Sequence, residues 1–314
     1  ASALATPQAR RLTTTPSRGP HSAKRRRNLC QKFSRPTLPV TGNPYTRDGG
    51  GFHLVESVLC FLDILGYREL IATGGEAAQH TFHQALADSY PMMLAEMGYV
   101  AEERDRYPPL FALKTFTDNI VLARPIGRRN DGESELGNVA MAVGALQTQL
   151  ALKGFFVRGA IAVGPAYVDD FGVFGDALLE AYQGECQLAR DPRIILCASA
   201  REKVIQHIGY YGDPASSPQN REMRQDSDGQ PFVSYLEHLA PAPYEGGFGL
   251  HELAVHRDVV MERLRRFRGQ PILWAKYEWV ARYHNHFCQR YADLCDDGLL
   301  VPLDSLRRGF SDIL

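Results

Sequence analysis

The chain contains Val58-Leu59-Cys60-Phe61-Leu62-Asp63-Ile64-Leu65-Gly66-Tyr67, an apolar run that is interrupted by one aspartate and followed by a glycine turn. A short apolar run of this kind predicts a buried strand, here residues 54–63. A second run, residues 109–124, predicts two strands that meet at a hairpin tip, Thr117-Asp118. A carboxylate in an apolar strand is costly unless it is paired or binds a metal, so Asp63 and Asp118 are the first candidate functional residues.

Apolar periodicity over the rest of the chain predicts further helices and strands. Helices are expected at 69–97 and 138–152, and a strand at 155–163 is expected to end at Gly164-Pro165. The later elements are a helix at 174–188, strands at 193–197 and 232–236, a polar loop at 210–230, and long helices at 251–268 and 271–294. This order predicts an α+β fold of the ferredoxin-like or palm type, with a mostly antiparallel sheet flanked by helices and with C-terminal helices.

Charge is distributed unevenly along the 314 residues, a length that suits one large domain or two small ones. Residues 1–50 hold ten Lys/Arg and one acid, whereas the remainder holds 25 basic and 35 acidic residues. We expect residues 1–50 to be a disordered basic leader, which either contacts nucleic acid or anionic lipid or is simply solvated. The acidic body argues against general nucleic-acid binding.

Cysteine usage and hydropathy indicate the compartment. The six cysteines form no CxxC pair, which fits a reducing cytoplasm better than a disulfide framework or a zinc site. No run of about 18 apolar residues exists, and the N-terminus lacks the apolar core of a secretory signal. We therefore expect a cytoplasmic protein with no membrane partner.

The surroundings of the two aspartates suggest phosphate chemistry. Backbone amides at the strand-to-helix turn, residues 64–67, would accept phosphate oxygens, and Mg²⁺ prefers a few carboxylates together with phosphates and water. Arg158 lies in an apolar strand, where it would clamp phosphates bidentately. The alternatives are that both aspartates are ordinary turn residues and that Arg158 forms a buried ion pair.

Three motifs together resemble the class III nucleotidyl cyclases. The family's F-x-D-x-x-G-F/Y strand end is matched by Phe61-Leu62-Asp63-Ile64-Leu65-Gly66-Tyr67. Its K-x-x-G-D hairpin is matched by Lys114-Thr115-Phe116-Thr117-Asp118, with Thr117 in the glycine's place. Its R-x-G-I-x-x-G motif is matched by Arg158-Gly159-Ala160-Ile161-Ala162-Val163-Gly164, with Ala160 for the first glycine. Order and spacing agree over about residues 54–200.

Departures from the purine cyclases point to a narrower group. Leu179 and Gln183 stand where those enzymes carry an Asn and an Arg, and Gly172 stands where they carry the adenine-reading Asp. Residues 174–194 and the helix around 277–285 are similar to bacterial pyrimidine cyclases of the Pycsar antiphage system. This resemblance implies a cyclase catalytic domain over 51–240 and a C-terminal helical extension over 241–314.

The resemblance also implies a homodimeric enzyme that converts UTP to 3′,5′-cyclic UMP and pyrophosphate with two Mg²⁺ or Mn²⁺ ions per site. Asp63, Asp118 and the Ile64 carbonyl would hold the metals, and Arg158 would be the third catalytic residue. The product would act on a separate effector in antiphage defence. The implied substrate contacts are Ile64, Leu65, Gly66, Tyr67, Lys114, Tyr182 and Gln183.

The choice of base is predicted from Lys114, a pure hydrogen-bond donor. Uracil presents an oxygen at position 4 and cytosine an amine, so a lysine at that edge favours UTP; cyclic CMP is the alternative product. A large Tyr182 would narrow the pocket against purines. A non-catalytic nucleotide-binding module is a further alternative, whereas a polymerase palm would need a basic template channel that the acidic body does not suggest.

Overall fold

A β-sheet forms the centre of the fold in the computed structural model, which describes residues 43–46, 51–98, 110–240 and 247–306. The strands are β1 (Val55–Ile64), β2 (Ala112–Phe116), β3 (Asn119–Pro125), β4 (Val157–Val168), β5 (Val173–Phe174), β6 (Ile194–Leu196), β7 (Met223–Gln225) and β8 (Pro231–Val233). They lie in the order β2-β3-β1-β4-β6-β8-β7, and β5 pairs with β4 outside this row.

Pairing in this sheet is mostly antiparallel. Strand β1 runs antiparallel to both β3 and β4, and β2 runs antiparallel to β3. Among the described strands, β4 and β6 form the parallel pair. The first four strands have the spatial order β4-β1-β3-β2, which is that of a ferredoxin-like βαββαβ unit. The predicted α+β class with a mostly antiparallel sheet is therefore confirmed.

Helices cover both faces of the sheet. They are α1 (Tyr67–Thr73), α2 (Gly75–Glu96), α3 (Glu133–Leu152), α4 (Asp176–Gln187), α5 (Ala198–Ile208), α6 (Pro218–Glu222), α7 (Leu250–Arg266), α8 (Pro271–Arg290) and α9 (Leu303–Leu306). One face, with Val58 and Cys60, packs against α2, α3 and α5, and the other, with Leu59 and Phe61, packs against α4, α7 and α8. Since side chains alternate along a strand, Asp63 belongs to the second face.

Three segments differ from the sequence predictions for local reasons. The helix expected at 69–97 is two helices, because Gly74 separates α1 from α2, which begins at Gly75 with a φ of +62°. Strand β4 continues through Pro165 to Val168. Proline is tolerated there because the parallel partner β6 pairs only with Gly159–Ile161 of this strand. The segment expected to be a polar loop, 210–230, contains α6 and β7.

The predicted leader lies outside the described residues, apart from residues 43–46. The Tyr45 hydroxyl donates to Ser57 Oγ at 2.9 Å, and Asn43 Nδ2 donates to the Val168 carbonyl at 2.6 Å, so this short segment packs against β1 and β4. All described residues belong to one compact unit, in which α7 and α8 share a hydrophobic core with the sheet. The division into a catalytic domain over 51–240 and an extension over 241–314 stays a prediction.

The two long C-terminal helices are joined by a buried histidine pair. His284 of α8 stacks on His256 of α7 with ring centroids 5.1 Å apart, and their Nδ1 atoms are 3.0 Å apart. The Nε2 atoms reach the Tyr235 hydroxyl at 2.9 Å and the Leu299 carbonyl at 2.8 Å. Burial lowers the pKa of both histidines, so the pair is neutral in the folded protein.

We expect acid to destabilise this fold through His238 and His284. Burial is the main reason that the pKa of each lies at about 4 rather than 6.5. The unfolded chain takes up both protons near the ordinary pKa, so stability that is present above pH 6.5 is lost as the pH falls towards 4. Urea unfolding over this range should show a loss of about 3 kcal/mol for each histidine.

A variant series separates this effect from the titration of carboxyl groups. His284→Asn should flatten the pH dependence relative to the unmodified chain, whereas substitution of the exposed His80 by Asn should leave it unchanged. An unfolding free energy that depends on pH equally in all three proteins would contradict the assignment.

Candidate active site

Asp63, near the end of β1, and Asp118, in the turn between β2 and β3, lie at the same end of neighbouring strands. Asp63 is opposite Asn119 of β3 and opposite Arg158 of β4. The backbone amide of Ile64 donates to the Asp118 carbonyl at 3.0 Å, so the hairpin tip is bonded directly to the end of β1. The hydrophobic runs that form β1 and β3 thus carry the two predicted aspartates to the same strand ends.

Each of the two carboxylates uses one oxygen for hydrogen bonds to described residues. Arg158 Nε donates to Asp63 Oδ2 at 2.9 Å. Asp118 Oδ1 accepts from Thr117 Oγ1 at 2.8 Å and from Asn119 Nδ2 at 3.2 Å. Neither side chain is fully buried, so the carboxylates are accessible from solvent.

This donor set fits a divalent ion that is also bound by substrate. In the described part of the chain, no three His, Cys, Asp or Glu side chains gather to hold a metal by themselves. Mg²⁺ is commonly bound by one or two carboxylates, with phosphate oxygens and water in its remaining positions. Asp63 and Asp118 supply two carboxylates of that kind, and the Ile64 carbonyl is the predicted third ligand.

Arg158 forms the ion pair that the sequence left open as an alternative. Besides Asp63, its Nε lies 2.7 Å from Oε1 of Glu185 on α4, a carboxylate that is only 3% exposed. Burial raises the pKa of Glu185, and the positive charge of Arg158 counteracts part of this rise. Arg158 therefore pairs with both carboxylates, and its positive charge offsets the negative charge of Asp63 and Glu185.

Glu185 has no predicted role, although the sequence contains a signal for it. It follows Ala181 by four residues, and Ala177 and Ala181 form the buried side of α4. A glutamate on the apolar side of a helix needs a partner, which here is Arg158. A glutamate at such a buried helix position therefore indicates a buried ion pair.

Lys276 of α8 adds a further charge to this cluster. Burial lowers the pKa of its ammonium, and Arg158 lowers it further, while Asp63, Asp191 and Glu185 raise it. The C-terminal helix thus contributes to the electrostatics around Asp63. Helix spacing in the sequence did not indicate this, because α8 is more than a hundred residues away along the chain.

The turn after β1 is bonded differently from the phosphate cradle that the sequence suggested. The amide of Ile64 is taken by the Asp118 carbonyl, and the amide of Leu65 donates to the Phe156 carbonyl at 2.9 Å. Gly66 has a φ of +83°, which favours glycine, and it precedes the first residue of α1, Tyr67. In the predicted cradle, the backbone amides of Gly66 and Tyr67 are therefore the ones that could still donate to a phosphate.

Lys114, Tyr182 and Gln183 are the residues predicted to face the base and the ribose. All three lie near the surface, on the sheet face that carries Asp63. Lys114 is on the edge strand β2, with its Nζ 3.8 Å from Asp170 Oδ1. The Tyr182 ring packs edge-on against Phe61, with centroids 5.5 Å apart, and half of the side chain is exposed. Gln183, the next residue on α4, is exposed.

Comparisons with known proteins find similar solved structures, two of which are described here, and no sequence match. An adenylyl cyclase, CyaB from P. aeruginosa, aligns with a TM-score of 0.37 and 15% identity over 49% of this chain and 82% of the other. A class III adenylyl cyclase-like ATP-binding protein from Pseudomonas aeruginosa aligns with a TM-score of 0.38 and 15% identity over 59% of this chain and 45% of the other. No protein-family model and no curated protein matches the chain.

None of the described helices combines the length and the apolar character that a membrane-spanning helix needs.

Proposed function

We propose that this chain is a pyrimidine nucleotide cyclase that converts UTP to 3′,5′-cyclic UMP and pyrophosphate. The observation that supports this most directly is the meeting of Asp63 and Asp118 at bonded strand ends, with Arg158 against Asp63. The ferredoxin-like strand order and the three cyclase-like motifs agree with it.

In the proposed reaction, Asp63, Asp118 and the Ile64 carbonyl would hold two Mg²⁺ or Mn²⁺ ions. Such ions, when bound, lower the pKa of an attacking hydroxyl and neutralise charge on a triphosphate. The ribose 3′ oxygen bonds to the α-phosphorus, the bond to pyrophosphate breaks, and the hydroxyl proton passes to solvent. Arg158 fixes the Asp63 carboxylate, because in-line displacement depends on positioning and charge neutralisation more than on a protein base.

The preference for UTP over CTP is proposed to depend on Lys114. Replacing Lys114 by Glu exchanges a donor for an acceptor, which suits the cytosine amine rather than the uracil oxygen. The ratio of kcat/KM for UTP to that for CTP should fall by about tenfold or more, as expected when a hydrogen bond to a charged group is lost. The ratio is measured by product formation from each nucleotide.

Lys203→Glu is the matched control, because Lys203 lies on α5, which packs on the opposite face of the sheet. It should leave the ratio unchanged. A Lys114→Glu variant with the original preference would remove Lys114 from base recognition and leave cyclic CMP as an equal candidate product.

A homodimer is part of the proposal, with each site completed by the partner copy. The surface near the site carries exposed apolar side chains, namely Phe116 at the hairpin tip and Leu179 and Tyr182 on α4. A self-complementary contact between two copies would cover them. Light scattering that returns the mass of two chains would support this assembly, and a single chain at working concentration would contradict it.

The proposed product is a second messenger for a separate effector in bacterial antiphage defence. The resemblance to Pycsar pyrimidine cyclases supports this part. Cells that express the chain with its effector should form fewer phage plaques than cells with the Asp118→Asn variant, and cyclic UMP should rise on infection. Equal plaque numbers in both strains would argue against this role.

A non-catalytic nucleotide-binding module is the second candidate. Arg158 is engaged by both Asp63 and Glu185, and Leu179 and Gln183 replace the Asn and Arg of purine cyclases. Incubation with each of the four nucleoside triphosphates and Mn²⁺, followed by mass analysis, separates the two candidates. A cyclic monophosphate supports the cyclase; retained nucleotide binding without product supports the module.

A further inference from the structure

A cleft of about 450 Å³ opens beside the turn that follows β1. Residues 64–67 form one wall, and Lys153, Arg263 and Arg266 are among the residues that line the rest. Its volume lies in the range of small-molecule sites. Lys153 belongs to the loop before β4, whereas the two arginines lie in the last turn of α7. The C-terminal segment therefore contributes directly to a cleft at the end of β1.

The lining of this cleft is positively charged. Three cations, Lys153, Arg263 and Arg266, face one acid, Glu69. Arg266 Nη2 lies 3.4 Å from Glu69 Oε1, and Lys153 Nζ lies 3.2 Å from Asp88 Oδ2; both pairs are solvent-accessible. Exposed pairs of this kind contribute little energy, so these two cations can turn to a bound anion at small cost.

A hydrogen bond to the loop before β4 positions the Arg263 side chain at the cleft. Its Nη2 donates to the Gly154 carbonyl at 3.0 Å. The same Nη2 atom is 2.8 Å from the position that a Cβ of residue 154 would occupy, and Gly154 has a φ of +85°. Any larger residue at 154 would displace the guanidinium. In addition, the buried Arg263 Nε has no hydrogen-bond partner among the described residues, and its ion-pair partner Glu262 Oε2 lies 3.6 Å away, beyond hydrogen-bond distance.

We propose that Arg263 and Arg266 of α7, together with Lys153, bind the polyphosphate of the nucleotide in this cleft. The inference rests on the proposed function. Ile64 lines the cleft and directly follows Asp63 in β1, so a nucleotide whose α-phosphate lay at the aspartates could extend its β- and γ-phosphates towards residues 64–67. Two guanidinium groups match phosphate oxygens in charge and in hydrogen-bond geometry. Helix α7 is then part of the substrate site.

The test measures binding of inorganic pyrophosphate to the full chain by calorimetry in the presence of Mg²⁺. The variants Arg263→Gln and Arg266→Gln should each raise the Kd by about tenfold or more, since each removes charge-assisted hydrogen bonds. Arg265→Gln is the matched control, because Arg265 lies between them on α7, is exposed and does not line the cleft. It should leave the Kd within about twofold.

Folding of the variants is checked by thermal unfolding. Arg266 is half exposed, so its substitution should leave the fold intact, and Arg263→Lys retains the charge if Arg263→Gln is unstable. Wild-type affinity for pyrophosphate in both glutamine variants would overturn the assignment.

Competition identifies the source of the bound phosphate. Pyrophosphate should displace UTP competitively, and a pyrophosphate site that leaves UTP binding unchanged would overturn the proposal. Measuring turnover distinguishes the polyphosphate site proposed for α7 from the proposed cyclase activity. Normal cyclisation with an unchanged KM in both glutamine variants would refute the role of α7 and leave the cyclase standing. Competitive binding that is lost in the variants, with no product from any nucleotide, would support the polyphosphate site and refute the cyclase.

Discussion

Substitution of Asp118 or Asp63 by asparagine is expected to lower the rate of cyclic UMP formation by about 1000-fold or more. Each change removes one of the two carboxylates that the proposal assigns to the metals, and charge stabilisation by bound metal is worth several kcal/mol. Asn preserves the size of the side chain and can still accept a hydrogen bond from Arg158 at position 63. The rate is measured with UTP and Mn²⁺ at saturating substrate.

The fold should survive these changes, because both side chains are partly exposed at strand ends. Thermal unfolding of the Asp118→Asn variant should therefore stay close to that of the unmodified chain. Asp297→Asn, an exposed acid near the C-terminus, is the matched control and should keep full activity. Activity above about a tenth of the original in Asp118→Asn would exclude that carboxylate as an essential metal ligand.

Replacing Arg193 by alanine is expected to lower the free energy of unfolding by about 3–5 kcal/mol, the usual cost of breaking a buried ion pair. Arg193 is fully buried and pairs with Asp226 and Asp228. Its guanidinium also lies over the Trp279 ring at 5.7 Å, and Trp279 Nε1 donates to Asp226 Oδ2 at 2.6 Å. Arg193 thus connects the loop between β7 and β8 with helix α8. The alanine variant lacks the cation that makes this connection.

Loss of the Arg193 side chain should also disturb the candidate active site. The Arg193 carbonyl accepts from the Gly159 amide at 3.1 Å, next to Arg158 on β4. Urea unfolding measures the stability. Arg190→Ala, three residues earlier and exposed, serves as the control and should change it by less than about 0.5 kcal/mol. A loss below about 1 kcal/mol for Arg193→Ala would show that this buried network contributes little beyond its apolar packing.

Local patterns in the sequence were sufficient to predict the strands that carry the aspartates. The apolar run through Phe61 predicts β1, and the run through Ile120 predicts β3, because short apolar segments are buried as strands. Boundaries were less well predicted. Gly74-Gly75 divides a helix that the apolar spacing continues, and Pro165 lies inside a strand where the parallel partner has already ended.

The electrostatic partners of the site lie far apart along the chain, and no local pattern links them. Glu185 meets Arg158 because α4 packs over β4. Lys276 and Arg263 reach the end of β1 because the C-terminal helices pack on that face of the sheet. Desolvation by surrounding elements sets their environment, so it requires the packed structure.

The amino-acid sequence by itself determined the ferredoxin-like order of elements and the positions of Asp63 and Asp118 at strand ends, because backbone periodicity and apolar burial act over a few residues. The tertiary structure alone decided that Arg158 is shared by Asp63 and Glu185, that two amides of the predicted cradle are used within the sheet, and that α7 lines the neighbouring cleft. These contacts depend on which strands and helices become neighbours, and that is settled only when all of them bury their apolar faces together.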